Sequence, residues 1–290
     1  MAGNRAARAK LAETAPRDCI PRVAYATPLG QILLATAEDF LTSANAAKYK
    51  GKVQLLLTSP PFPLNRKKKY GNEQGEQYVT WLSSFGKLFR DLLTPDGSIV
   101  MEMGNAWEPG LPVMSTLALR ALIALLDAGD YFLCQQFVCH NPARLPTPAQ
   151  WVNIERIRVK DAFTHVWWMS ASARPKANNR RVLKEYSKSM LKLLESGRYN
   201  AGPRPSEHHI GERSFLRDNA GAIPSNVLTF ANTAASDDYQ RYCREQGLRP
   251  HPARYPVELP MFFIRLLRDE SDLVLDPFAG TNATRPGRDD

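Results

Sequence analysis

Cysteine is scarce and scattered. The four residues, Cys19, Cys134, Cys139 and Cys243, form no CxxC pair. That argues against both a zinc site and a disulfide framework and fits a reducing compartment. No apolar run approaches the ~20 residues that a helix needs to span a membrane. The Ala- and Arg-rich start, Met1 to Arg17, lacks the apolar core of a secretory signal and reads as a disordered basic tail. No internal repeat is present. Negative charge is in short supply: 38 Lys and Arg face 29 Asp and Glu, for a net charge of +9 and a pI near 9.4. A polyanionic partner is favoured, although charge alone does not name it.

What remains is an ordinary globular composition, 43% hydrophobic and 23% charged over 290 residues. That length buries a real core, and one large α/β domain with an inserted module is expected. Val53–Leu57 reads as a buried strand that stops at Pro60. Tyr78, Leu82, Phe85, Phe89 and Leu92 recur at helical spacing. Pro95-Asp96-Gly97 predicts a turn, and Ser98–Met103 a second strand. Val113–Ala128 predicts a helix stopped at Gly129. Tyr131–Cys139 and Thr164–Ser170 read as strands, Glu258–Arg268 as an amphipathic helix and Asp272–Asp276 as a last strand. Alternating strands and helices predict a parallel-type α/β sheet. The rhythm breaks between the Trp167 strand and Leu248. Residues 151–217 hold 14 Lys or Arg against 6 Asp or Glu, as a solvated face or a nucleic-acid-contacting insertion would.

Two short motifs stand at strand ends, where doubly wound sheets hold their ligands. Ser59-Pro60-Pro61-Phe62 follows the first strand. Taken alone it reads equally as a loop or a polyproline segment. Asp276-Pro277-Phe278-Ala279-Gly280-Thr281-Asn282 follows the last strand, with a glycine that lets a ligand approach the backbone. An ordinary strand-to-helix turn would look the same.

Together and in this order, the motifs resemble those of the permuted (β-type) amino-methyltransferases of bacterial restriction–modification systems, in particular the cytosine-N4 members. Ser in the first motif position is typical of the N4-cytosine enzymes, and Asp or Asn of the N6-adenine enzymes. The resemblance spans roughly Gln31 to Thr284. It includes TSPPFPLNRKKKYGN (58–72), NPARLPTPAQWVN (141–153), DAFTHVWWM (161–169) and HPARYPVELPMFFIRL (251–266). It implies a Rossmann-like S-adenosylmethionine-dependent methyltransferase sheet, permuted, with an inserted DNA-recognition region. The segments it implies are a tail at 1–24, a catalytic half at 25–170, a target-recognition region at 171–248 and a cofactor-binding segment at 249–290.

The implied reaction moves a methyl group from S-adenosylmethionine to N4 of cytosine in duplex DNA, with no metal and no covalent enzyme intermediate. A nucleobase amine is a poor nucleophile because its lone pair is delocalised into the ring. Acceptors on its N–H bonds, here the Ser59 hydroxyl and the Pro60 carbonyl, would favour a pyramidal nitrogen. Pro60 and Pro61 stiffen the loop and remove competing donors, and Phe62 offers a face to a flipped base. Asp276, Pro277, Phe278, Ala279, Gly280, Thr281 and Asn282 match the cofactor loop. Pro252, Ala253, Arg254 and Tyr255 contribute through the preceding segment, with core packing as the rival role of Tyr255. Arg66, Lys67, Lys68 and Lys69, and in the insertion Arg156, Arg158, Lys160, Arg204 and Arg213, are the candidate DNA contacts. Double-stranded DNA is the implied partner, along with a restriction endonuclease acting on the same site, and the bacterial cytoplasm at the nucleoid is the implied location.

Two departures matter. Cys139 and His140 stand where relatives place aromatic residues. After Asn282 the chain reads Ala283-Thr284-Arg285-Pro286-Gly287, a poor helix continuation, so the expectation is a chain missing the family's last two strands, with impaired or absent activity. Three other readings stay open: an adenine-N6 enzyme, a non-catalytic DNA-binding remnant and a polyproline-bearing adaptor.

Overall fold

A computed structural model of the chain describes residues 20–63, 73–230, 238–247 and 256–280. The described chain opens on a hairpin, β1 (Arg22–Thr27) and β2 (Gly30–Leu34), then two short helices, α1 (Ala37–Thr42) and α2 (Ala44–Ala47). Next come β3 (Val53–Thr58), α3 (Gly75–Leu92), β4 (Leu93–Gly104), α4 (Leu117–Gly129), β5 (Phe132–His140) and β6 (Phe163–Ser170). Beyond β6 lie α5 (Lys188–Ser196), β7 (Gly202–Pro203), β8 (His209–Ile210) and β9 (Val227–Thr229). The helices α6 (Asp238–Glu245) and α7 (Glu258–Leu267) precede β10 (Leu273–Leu275).

Six of these strands form one sheet in the order β10-β3-β4-β6-β5-β9. β3 runs parallel to β10 and β4, whereas β6 is antiparallel to both of its neighbours. The sheet is therefore mixed, not parallel throughout as the alternation suggested. A parallel pair needs a crossover helix. Helices supply one between β3 and β4 and between β4 and β5, whereas β5 is joined to β6 by a long segment with one helical turn, Gln150–Ile154.

β3 is buried along its whole length, which explains its unbroken apolar run. A register shift between Val53 and Leu55 resets its alternation. Val53 and Leu56 then belong to one core, and Leu55 and Leu57 to the other. The first core lies under α3 and α4 and contains Tyr78, Leu82, Phe85, Phe89, Leu122 and Leu125. The helices approach closely because Gly86 has no side chain: a Cβ there would lie 2.9 Å from Ala128. The second core packs Leu259, Phe263, Leu266 and Leu267 of α7 against the other face. Among the described residues, no helix is long and apolar enough to cross a membrane.

Local differences from the sequence expectations have physical causes. Pro95–Gly97 loops out of a strand that continues on both sides, because Val53 pairs with Leu93 and Leu55 with Ser98. α4 starts at Leu117, not Val113, since Met114 is drawn into a bridge with Trp107. The left-handed cap after α4 is Asp130 (φ 50°), not Gly129. Gly129 is needed for space: a Cβ there would lie 1.9 Å from the Tyr131 ring. Residues 171–248 also contribute β9 to the main sheet, beside β5.

Candidate active site

β3 and β10 lie side by side in the same direction, so their C-terminal ends leave the sheet at one edge. Ser59–Phe62 continues the first and Asp276–Gly280 the second. The two are tied together directly. The Thr58 hydroxyl donates to Asp276 Oδ1 at 2.6 Å, and the Phe278 N–H donates to the same oxygen at 3.0 Å. Stretches 218 residues apart in sequence thus form one edge of one site.

Pro60 and Pro63 are buried, and Ser59, Pro61 and Phe62 half-buried. The Phe62 ring fills the space over Gly104 at the end of β4, where a Cβ would lie 2.3 Å from Cδ2. Phe278 meets Trp81 at 5.7 Å and Phe85 at 5.6 Å, edge to face, which anchors the β10 turn on α3. Trp81 is itself held by an Nε1–H bond to Glu38 of α1 at 2.7 Å. Gly280 adopts a left-handed φ of +51°, and among the described residues a Cβ there would meet the Phe278 carbonyl, at 3.8 Å.

A carboxylate that did not stand out in the sequence completes this edge. Glu102, buried in β4, accepts from the Thr164 hydroxyl of β6 at 2.9 Å, and Ser59 at the end of β3 is near enough to act on its carboxyl. Burial pushes its carboxyl above the ordinary glutamate range; the bond from Thr164, then the neighbouring Ser59 and the Arg144 guanidinium, pull the other way. Cys139 stands on the same side, its thiol pushed up to about 11 by burial first and by the Glu102 charge second. One signal was present in the sequence: Glu102 is the lone charge in Ile99-Val100-Met101-Glu102-Met103, and a buried charge needs a reason.

The rim is built by the segment between β5 and β6. Asn105 Nδ2 donates to Asp161 Oδ1 at 2.8 Å, and Arg144 donates to the Phe163 carbonyl at 3.1 Å. Arg158 and Lys160 stand on this rim with donors already engaged. Arg158 reaches the Pro112 carbonyl at 3.0 Å, and Lys160 the Pro142 carbonyl at 2.9 Å. Arg156 is exposed here at a left-handed φ of 56°. Arg204 lies in the β7–β8 turn, donating to the Asn200 carbonyl at 2.6 Å, and Arg213 is exposed beyond β8. His140 pairs across β5–β6 with Phe163. Arg66, Lys67, Lys68, Lys69, Pro252, Ala253, Arg254, Tyr255, Thr281 and Asn282 lie outside the described residues.

Comparison with known proteins places this geometry. The profile of the N6/N4 methyltransferase family, described as DNA methylase, matches residues 53–286. The chain is 42% identical to the type II methyltransferase M.PvuII of Proteus hauseri over 263 residues, 90% of this chain and 77% of that protein. The solved structure of the PvuII DNA methyltransferase, described as cytosine-N4-specific, superposes with a TM-score of 0.70 at 36% identity, covering 91% of this chain and 79% of that one.

Proposed function

Because this chain belongs to the N6/N4 DNA methylase family, we propose that it methylates the N4 amino group of a cytosine within a specific site in duplex DNA, using S-adenosylmethionine. The observation that carries the reading is the joined edge of β3 and β10, with Ser59 close to a buried carboxylate one strand away. The similarity to a cytosine-N4 enzyme, and Ser at the head of Ser59–Phe62, favour cytosine over adenine.

The residues fit the cofactor. The turn reaches Gly280, which takes a left-handed φ and carries no side chain to hold a ligand off its backbone, and Asp276 and Phe278, fixed by Thr58 and by α3, would line the cofactor's site. When bound, S-adenosylmethionine supplies an electrophilic methyl on a sulfonium. The chain's own part is to prepare the amine. Ser59 donates its proton toward Glu102, leaving its oxygen lone pairs for a base N–H. The Pro60 carbonyl, without a competing N–H beside it, takes the second N–H. Two acceptors would localise the nitrogen lone pair, readying it to take the methyl group that the bound cofactor would supply. The surplus proton on nitrogen passes to Ser59 as the Ser59 proton passes to Glu102, so the site gains one proton and the product is neutral. Phe62, braced over Gly104, positions the flipped base.

The basic surplus serves the DNA backbone. A restriction endonuclease cutting the same sequence is the matching partner, in keeping with the type II description of the 42% identical relative, and the working place is the bacterial nucleoid. The test is incubation of unmethylated DNA with the full chain and methyl-labelled S-adenosylmethionine, then mass spectrometry of the nucleosides. N4-methylcytosine is expected, and its loss in Ser59→Ala. N6-methyladenine instead, or no methylated base, overturns the assignment.

A further inference from the structure

The loop between β5 and β6, residues 141–162, is long for a hairpin connection, and long ordered loops in compact domains tend to be functional. It is tied to itself and to the sheet at many points. Asn141 N–H donates to the Ala162 carbonyl at 2.8 Å and Asp161 N–H to the Thr147 carbonyl at 3.0 Å. Lys160 Nζ bridges the Pro142 and Arg144 carbonyls, Gln150 holds Glu155 at 2.8 Å, and Ile157 N–H donates to the Trp151 carbonyl at 2.9 Å. Arg158 fastens the loop to Pro112 and Asp161 fastens it to Asn105, at the end of β4.

This bonded loop turns aliphatic side chains to solvent. Val159 is 86% exposed, Leu145 76% and Ile154 69%. Val159 sits between Arg158 and Lys160, and the Lys160 bridge brings the Leu145 segment alongside it. A solvated loop would carry polar groups at such positions. Here aliphatic tips alternate with cations in Arg156-Ile157-Arg158-Val159-Lys160. Cations suit phosphates, and aliphatic wedges suit the gap between unstacked bases. The loop also stands at the sheet edge that carries Ser59 and Glu102, since it leaves the C-terminal end of β5 and enters β6 beside Thr164.

We infer that loop 141–162 is the wedge that opens the duplex: Val159, backed by Leu145, enters the base stack and fills the space left by the flipped cytosine. This rests on the cytosine-N4 reading above. Because the loop is ordered by its own hydrogen bonds, little ordering cost falls on the binding step.

The experiment uses the full chain. Sequencing of methylated product first places the target cytosine in its site. Methylation is then followed on two duplexes carrying that site, one fully paired and one with an abasic position opposite the target cytosine. The double variant Leu145→Ala/Val159→Ala is expected to lose roughly tenfold in rate on the paired duplex and less than about threefold on the unpaired one, because opening is already done there. Val159→Leu, which keeps an aliphatic tip, should restore the paired rate. With 2-aminopurine at the target position, fluorescence should rise on adding the wild type and rise less with the double variant. Equal losses on both duplexes, or no loss on either, would overturn the wedge while leaving the methyltransferase reading intact. Absence of N4-methylcytosine from the wild type itself would remove that reading, and the wedge with it.

Discussion

Glu102 shows at the level of one residue how burial and function are coupled. Its carboxyl is held above its unfolded value by desolvation, which the bond from Thr164 and the neighbouring Ser59 only partly offset. A group with a raised folded pKa contributes stability that is complete below the unfolded pKa, about 4.3 for glutamate, and is lost as pH rises through the folded value. Glu102→Gln removes that loss. Its denaturation midpoint in urea should therefore gain on the wild type between acid and neutral pH, while its methylation rate falls by about 10²-fold or more. The wild-type rate itself should decline on acidification at a pH above the ordinary glutamate range, because the proton acceptor must be ionised. A variant that matches the wild type in rate would rule out the acceptor role. Gly104 is a second single-atom constraint. Gly104→Ala drives a methyl into Phe62, and a cost of about 1–3 kcal/mol is expected from such overpacking, together with lower activity; both are read from melts and initial rates.

Helix α3 is the element on which the site rests. Its buried stripe, Tyr78, Leu82, Phe85, Phe89 and Leu92, coincides with the periodicity visible in the sequence. Phe85 touches Phe89 within that stripe and Phe278 of the β10 turn beyond it. Phe85→Ala should thus cost about 3–5 kcal/mol of stability and also weaken cofactor binding, which calorimetry with S-adenosylmethionine would detect as a raised Kd. If stability fell and the Kd did not move, the turn would be anchored elsewhere. The strands and helices read from the sequence were legible to within a few residues because most are strongly patterned, whereas the β1–β2 hairpin, α1, α2, α5 and β9 were not read at all. The start of α4 was not, since an apolar run cannot tell a helix turn from the Trp107–Met114 bridge. The antiparallel insertion of β6 was also hidden: nothing in Phe163–Ser170 records which strand it will pair with.

For the whole molecule, the charge balance and the binding of small ligands make separate predictions. A chain of net charge +9 that neutralises DNA phosphates should lose affinity steeply with salt, with a log–log slope near −0.9 for each phosphate contacted. Fluorescence anisotropy on a duplex between 50 and 200 mM salt, roughly the range in which such losses become large, checks it, and a flat response would remove the backbone contacts. S-adenosylmethionine at about a hundred times its Kd should add about 2.7 kcal/mol of stability, seen as a raised Tm. Gly280→Val, which puts a branched side chain at a left-handed φ, should abolish that rise.

The residues alone determined the chemistry on offer. Ser59–Phe62 and Asp276–Gly280 carry their acceptors, prolines and glycine whatever surrounds them, and the buried strands and helix stripes declare themselves by period. Only the tertiary structure decided that the two motifs share an edge, that a Thr58–Asp276 bond joins them and that Glu102 is the carboxylate behind Ser59. Those facts depend on which strands become neighbours. Pairing between strands far apart in sequence is set by the packing of the whole core, not by any local pattern.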